Sequence, residues 1–429
     1  MKRKPYLIIG NSVAAMGAVE GIRSVDKDRP ITIVSKEPQH TYSRPLISYL
    51  LAGKVEEDQM HYRPEGFYET NDVTPLLGEM AVGLDTEART VRTDSGRELG
   101  YEKLLVATGG TPILPPNVAG LDHEGVFTFT SWNDAREIEE FIEQRGVENA
   151  VVVGGGLIGL KSMEALVTLG IHTTLVELAD CVLSSTFDDT ASELARNALE
   201  NAGVDVRCST TVQTIKEKNG RVDSVVLKCG TEVPCTLVIF AIGVLPNLEV
   251  VENSSVETDR GILVDDTMES SCENLYAAGD VAQAQELFSG NRRTIPIFPN
   301  AYRQGLIAGR NMAGEKRSYE GGMAMNSVDI FGLPTISVGL TDPEGDGYEI
   351  MQELDRDEPA YRKIVLRNNR IVGAIFIGQI DRAGIITGLA RQKIDVSDFK
   401  DMLLTDDFGL ISLPQDYRNK VVNGHPLEV

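Results

Sequence analysis

Apolar residues in this chain fall in short, near-continuous runs, and two of them are closed by glycine and followed by small residues at helical spacing. Tyr6 to Ile9 is the first such run; it passes into Gly10-Asn11-Ser12-Val13-Ala14-Ala15 and a helix. The same plan returns 144 residues later, where Ala150 to Val153 passes into Gly154-Gly155-Gly156-Leu157-Ile158-Gly159 and a helix reaching Leu169. Each copy continues into a second apolar run that ends in acid, Ile31 to Glu37 and Thr173 to Glu177. Each closes on a run broken by glycine and then proline: Leu104 to Pro112, which contains Ala107-Thr108-Gly109, and Val238 to Pro246, which contains Gly243. Strands apolar on both faces belong in parallel sheets covered by helices on both sides. The repeat therefore predicts an α/β protein with two Rossmann-like dinucleotide-binding domains.

Elsewhere the period changes. Thr93-Asp94-Ser95-Gly96 and Lys218-Asn219-Gly220 are turn sequences between alternating segments, which predicts β hairpins. Ile138, Phe141 and Ile142 recur at helical spacing behind Ser131 and Asp134, a capping box that predicts a helix from about Asp134 to Arg145. A further helix is expected from Ala301 to Ala313. Beyond Gly321 the alternating segments Tyr361 to Leu366 and Arg370 to Ile377, joined at Asn368-Asn369, predict antiparallel strands. Asp342 to Glu358 carries eight acids and one arginine and reads as a solvated loop. These breaks divide the chain into residues 1–115 and 246–320 as two segments of one domain, 116–245 as an inserted domain, and 321–429 as a C-terminal α+β domain.

A length of 429 residues fits two or three domains, and a net charge of −23 repels phosphate backbones and anionic lipid surfaces, so neither nucleic acid nor membrane is an expected partner. The longest apolar runs, such as Leu237 to Leu245, stop far short of the roughly 18–20 residues that cross a bilayer. Met1-Lys2-Arg3-Lys4 leads into a strand without the apolar stretch of a signal peptide, so a cytoplasmic location is expected. Cys181, Cys208, Cys229, Cys235 and Cys272 include no CxxC pair, and His40, His61, His123, His172 and His425 include no HxxH or HExxH spacing. No metal site is expected from either set.

The second glycine run carries the most chemistry. Gly154 supplies the tight turn, Gly156 lets the backbone approach a pyrophosphate, and Gly159 lets helix and strand close together. The helix opening at Leu157-Ile158 turns its free N–H groups toward the phosphates. Glu177, 23 residues after Gly154, is placed to accept from a ribose 2′-hydroxyl, and Leu178-Ala179-Asp180 offers no cation for a 2′-phosphate, which favours NADH over NADPH. A purely structural glycine turn is the plainer alternative. In the first run Ser12 and Ala15 replace the second and third glycines, and Glu37 follows Gly10 by 27 residues. Serine adds a Cβ where the backbone should meet phosphate, while its hydroxyl can bond to it.

Taken together, these motifs resemble an FAD-dependent NADH oxidoreductase of the pyridine-nucleotide-disulfide reductase superfamily. The resemblance implies that the first run, with Gly10, Ser12, Ala14, Ala15 and Glu37, binds FAD and that the second, with Gly154, Gly156, Leu157, Ile158, Gly159, Glu177 and Gly243, binds NADH. Ala107-Thr108-Gly109 matches the family's ATG strand end, and Gly279-Asp280 its GD motif, whose aspartate holds the FAD ribityl and pyrophosphate region. Asp280 also reads as an N-cap for a following helix. Thr41-Tyr42-Ser43-Arg44-Pro45-Leu46-Ile47-Ser48 is similar to the segment beside the flavin in rubredoxin reductases and in the flavoprotein part of nitrite reductases. Pro299-Asn300, opening the helix with Gln304, is similar to the segment whose helix N-terminus points at the flavin pyrimidine edge. Lys161 stands where many relatives have glutamate, and its role stays open.

Relatives that reduce disulfides relay electrons through thiols. This chain has Ser43 at the position of the single-cysteine relatives and no thiol before Cys181, and a hydroxyl cannot replace a thiolate. The resemblance then implies hydride transfer from NADH to FAD and release of electrons to an external acceptor, a small redox protein such as rubredoxin or ferredoxin. Arg292, Arg293, Arg303, Arg310, Lys316 and Arg317, against Glu315 alone, make a local basic patch suited to an acidic acceptor; ordinary surface cations are the plainer reading. An electron-input subunit of a larger complex, an NADH oxidase and an NADH-sensing flavoprotein signal stay open, as does a homodimer.

Overall fold

The computed structural model describes residues 4–355 and 357–422. The chain divides into two compact units. One takes the residues up to Pro45, Glu56–Thr111 and Val244–Met323; the other takes Leu46–Val55, Pro112–Gly243 and the residues from Ala324 on.

The first unit is built on a parallel sheet in the order Leu275–Ala277, Lys103–Val106, Tyr6–Ile9, Ile31–Ser35, Val73–Leu77. Tyr6 is in register with both Ile31 and Lys103. Leu7, Ile8, Ile33, Leu104 and Leu105 are fully buried, as strands covered on both faces require. The helices Val13–Val25 and Phe298–Met312 pack together on this core. A meander of Ala81–Asp85, Thr90–Thr93 and Glu98–Gly100 turns at the expected Thr93 to Gly96.

The second unit repeats the plan with Asp205–Arg207, His172–Val176, Asn149–Val153, Leu237–Phe240 and Val126–Thr128. In both sheets the strand that enters the glycine run lies between the acid-ending strand and the closing strand. The fifth strand differs in origin. It follows the repeat in the first sheet (Leu275–Ala277) and precedes it in the second (Val126–Thr128).

Within the second unit the antiparallel strands Val212–Lys218 and Arg221–Leu227 meet at the predicted Lys218-Asn219-Gly220 turn. The helix Trp132–Arg145 starts at N-cap Ser131 with the Ser131–Asp134 capping box formed. The C-terminal sheet runs Met325–Ile330, Leu333–Gly339, Arg370–Ile377, Ala360–Arg367, Glu349–Asp355. Asn368 and Asn369 have φ of 53° and 56°, the left-handed pair that a two-residue hairpin loop needs. One expectation is corrected here: the acidic stretch 342–358 is not loop throughout, because Glu349–Asp355 pairs with Ala360–Arg367 as an edge strand. An edge strand has water on several sides, so it tolerates acids at nearly every position. Among the described residues no helix is long and apolar enough to cross a membrane.

Candidate functional site

Each unit carries one of the two glycine runs expected to cradle a dinucleotide. In the first, Gly10 has φ 115°, and a Cβ there would stand 2.1 Å from the Ala107 carbonyl oxygen. Only glycine lets the end of Tyr6–Ile9 pass the Ala107-Thr108-Gly109 strand end. Ser12 is the N-cap of the helix that follows, extended at φ −96°, and its side chain makes no capping bond. A hydroxyl is thereby left at a helix N-terminus, an arrangement suited to a phosphate oxygen. Ala14 and Ala15 are buried behind it.

The structure brings the remaining first-cradle residues to the same place. A Cβ on Gly279 would lie 3.4 Å from Ala14 Cβ and 3.7 Å from Ala301 Cβ, so the first glycine run, the Gly279-Asp280 turn and the helix Phe298–Met312 converge on small residues. The Gly279 N–H donates to Gln304 Oε1 at 2.8 Å. Pro299 lies in the first turn of that helix, which begins at Phe298 rather than at Ala301. Asn300 is buried, and its side-chain amide donates to the Met323 carbonyl at 3.0 Å, so that group braces the helix start. Thr108 Oγ1 donates to the Asn247 carbonyl at 2.8 Å and Asn247 Nδ2 donates back to the Thr108 carbonyl at 2.9 Å. Asn247, one residue past the closing Pro246, was not singled out in the sequence.

Glu37, Arg44 and Asp280 form a charged group. Arg44 Nη2 donates to Glu37 Oε1 at 2.5 Å and Tyr42 OH donates to Glu37 Oε2 at 2.6 Å, so each carboxylate oxygen has a partner from the Tyr42-Ser43-Arg44-Pro45 segment. Pro45 sits in the short 3-10 turn Arg44–Leu46. Burial alone would lower Arg44, but Tyr42, Glu37 and Asp280 hold its guanidinium above the usual value. Burial raises the Asp280 carboxyl, and the Arg44 charge offsets only part of that. Contrary to the expectation from sequence, Asp280 caps no helix, since the residues after it form the strand Ala282–Gln285. Its carboxylate is thus free of a capping role. Tyr68, also missed by the sequence reading, ties the glycine run in place: its OH donates to Asn11 Oδ1 at 2.8 Å and accepts from the Thr41 N–H at 3.1 Å.

In the second cradle Gly154 has φ 112°, and a Cβ on Gly159 would stand 1.9 Å from the Gly154 carbonyl oxygen, so the helix closes onto the turn as the spacing predicts. Gly156 is the N-cap of the helix Leu157–Thr168, and nothing lies within 4 Å of where its Cβ would be. That open side, beside the free N–H groups at Leu157 and Ile158, fits a pyrophosphate. Glu177 accepts from Gly155 N–H at 2.5 Å and from Ala179 N–H at 2.7 Å, which sets its carboxylate at the rim of the turn. Gly243, with φ 123°, breaks the closing strand, and its carbonyl accepts from Ile113 N–H at 3.0 Å. Lys161 pairs with Glu164, and its ammonium stands 5.3 Å from the Tyr49 ring centroid.

Cys181, Cys208, Cys229, Cys235 and Cys272 are all free. Burial pushes Cys235 up to about 12, and burial also raises Cys181 and Cys208. Hydrogen bonding by Thr231 brings exposed Cys229 down to about 7. Of the basic patch, Arg292 and Arg293 are exposed on a short strand, whereas Arg310 and Arg317 both pair with Glu315. Among the described residues no group of three or more His, Cys, Asp or Glu could hold a metal ion; His425 lies outside them.

Two family models match successive parts of the chain. The family model described as pyridine nucleotide-disulphide oxidoreductase matches residues 4–305, and that of the rubredoxin NAD+ reductase C-terminal domain matches residues 325–394. The epsilon subunit of the NADH-dependent phenylglyoxylate dehydrogenase of Aromatoleum evansii is 31% identical over 405 residues, 94% of this chain and 94% of that one. The rubredoxin-NAD(+) reductase of Pseudomonas putida is 32% identical over 310 residues, 72% of this chain and 80% of that one. The NAD(P)H nitrite reductase of Bacillus subtilis is 30% identical over 401 residues, 93% of this chain but 48% of the relative, so this chain spans about half its length.

Proposed function

We propose, from the premise that this chain belongs to the pyridine nucleotide-disulphide oxidoreductase family, that it takes electrons from NADH and passes them to a small redox protein such as rubredoxin without a cysteine relay. Family membership makes the protein an NAD(P)H-dependent FAD oxidoreductase with FAD and NADH as cofactors. The observation that carries the finer reading is the match of residues 325–394 to the C-terminal domain of rubredoxin NAD+ reductase. Ser43 and the absence of any cysteine before Cys181 support the exit without thiols.

FAD, when bound, supplies the hydride acceptor and the electron carrier. The chain's own residues bind and orient. Ser12 and the helix N-terminus behind it would hold the FAD pyrophosphate, with Asp280 on the ribityl side. Glu37, already braced by Arg44 and Tyr42, would accept from the adenosine ribose. On the NADH side Leu157 and Ile158 N–H groups would take the pyrophosphate and Glu177 the ribose hydroxyls. No general acid or base is required for a hydride step, so the protein acts by orientation and electrostatics.

Glu177→Ala tests the nucleotide assignment. Loss of a charge-assisted hydrogen bond predicts an NADH KM raised about tenfold, with kcat nearly unchanged; steady-state kinetics with ferricyanide as acceptor measures it. Stopped-flow mixing tests the acceptor. NADH-reduced protein should reduce rubredoxin or ferredoxin faster than it reduces oxygen, with the rate falling as salt rises if the exposed Arg292 and Arg293 steer the partner. Oxygen reacting as fast as either protein would defeat the reading.

A second reading has its own support. The Aromatoleum evansii relative, a named subunit of an NADH-dependent dehydrogenase, aligns over 94% of both chains. This chain would then feed electrons to a bound partner chain, and stable co-purification from its native cell would distinguish that case.

A further inference from the structure

Among the described residues, the most deeply buried ion pair of the second unit has no part in the function proposed above. Lys363, on the strand Ala360–Arg367, has its side chain 4% exposed, and its Nζ donates to Asp188 Oδ2 at 2.8 Å. Tyr361 OH, from the same strand, donates to the same oxygen at 2.7 Å. Asp342 reaches Lys363 from the surface at 3.4 Å, and Gln352 Oε1 stands 3.1 Å from Tyr361 OH. Asp188 is itself the N-cap of the helix Asp189–Asn201, its Oδ1 accepting from Ala191 N–H at 3.0 Å.

Burying such a pair gains little stability, since desolvation cancels most of the attraction. What it does gain is a fixed position. The segment it fixes is the connection from Glu177 to Asp188. That connection is tied at its other end to the second glycine run: Leu183, at φ 56°, donates from its N–H to the Gly155 carbonyl at 2.9 Å. Thr186 and Phe187 N–H groups then fold back onto the Leu183 carbonyl at 2.7 and 2.9 Å, immediately before Asp188. Glu177 opens the same connection and holds Gly155 N–H. Hydrogen bonds joined by the short chain from Leu183 to Asp188 therefore connect the C-terminal sheet to the glycine turn.

We propose that Asp188, Lys363 and Tyr361 are positioning residues for NADH: the C-terminal sheet holds residues 178–187 against Gly155 and so sets the adenosine rim of the cradle. This rests on the reading of the second cradle as the NADH site. The C-terminal sheet is then part of the nucleotide-binding machinery, beyond any role toward an acceptor.

The test uses the full chain loaded with FAD and ferricyanide as acceptor. Lys363→Met, which strands Asp188 without its cation, should raise the KM for NADH about tenfold, with kcat within about twofold and the FAD content unchanged; Lys363→Arg, which keeps the charge, should restore most of the affinity. A role confined to stability would lower the melting temperature and leave KM where it was, and an unchanged KM in Lys363→Met overturns the proposal. Should that variant not fold, Tyr361→Phe removes one hydrogen bond alone; a rise of about threefold supports the anchor and an unchanged KM overturns it. Glu177→Ala run alongside separates the two levels. If it raises KM and Lys363→Met does not, only the anchor falls. If Glu177→Ala has no effect, the reading of the cradle falls, and the anchor with it.

Discussion

Gly305→Val should yield protein that is largely unfolded in its first unit and carries no FAD, measured as loss of flavin absorbance and of the cooperative melting transition. The reason is a backbone-to-backbone helix contact. A Cβ at Gly305 would stand 2.0 Å from the Ala14 carbonyl oxygen, and one at Gly309 2.2 Å from that of Ala18. From the other side, Cβ atoms at Gly17 and Gly21 would stand 2.3 and 2.4 Å from the carbonyls of Tyr302 and Leu306. Two glycines four apart on each helix thus let Val13–Val25 and Phe298–Met312 touch without side chains between them. A branched side chain must drive the helices apart; overpacking of side chains alone typically costs about 1–3 kcal/mol, and here the obstacle is backbone that cannot rotate away, so the cost rises toward the roughly 5–15 kcal/mol that holds a domain together. The same displacement separates Ala14 from Gly279 and Gln304, which together build the first cradle. Gly384→Ala is the control: that helical position has nothing within 4 Å of its Cβ, and it should be neutral or gain up to about 1 kcal/mol from helix propensity.

Asp280→Asn should separate binding from stability in opposite directions. With its charge gone, the contact expected to hold the FAD ribityl and pyrophosphate region weakens, and loss of one or two charge-assisted hydrogen bonds predicts FAD bound about a hundredfold less tightly. The flavin-free variant should nonetheless melt higher than flavin-free wild type at neutral pH. Burial raises the Asp280 carboxyl, with Arg44 opposing, so the folded chain accommodates that charge less easily than the unfolded chain does. For a carboxyl raised in the folded state, the penalty is present above the raised pKa and is relieved as pH falls through it. The melting difference between variant and wild type should therefore shrink on acidification, starting above the ordinary aspartate value of about 3.9. A variant that melts lower at neutral pH, or that retains FAD fully, would contradict the assignment of Asp280.

The features legible in the sequence were local ones. Two parallel sheets followed from apolar runs of the right length. The hairpin at Asn368-Asn369 followed from turn chemistry, and the helix after Ser131 from its capping box, because each signal lies within a few residues of the structure it specifies. The features that were not legible join distant residues. Nothing near Gly17 announces that Tyr302 will lie against it. The Glu37–Tyr42–Arg44 group lay inside segments already singled out, but only the fold shows that both carboxylate oxygens are engaged. Asp280 followed by Val281-Ala282 suited a helix start as well as a strand, and pairing of Ala282 with Ile262 decides for the strand. The acids of 342–358 favour a loop, and Ile350, Met351 and Leu354 do not alternate; only pairing with Ala360–Arg367 makes Glu349–Asp355 an edge strand. Lys363 looked like any strand lysine until the fold placed Asp188 beside it.

The most direct test of the account is an anaerobic titration of the FAD-loaded protein with NADH, followed at the flavin absorbance band. One equivalent of NADH per FAD should bleach the band completely, because a centre with no thiol relay stores two electrons and no more. A flavin that stays oxidised, or one that needs a second equivalent because a cysteine pair is filled as well, would contradict it.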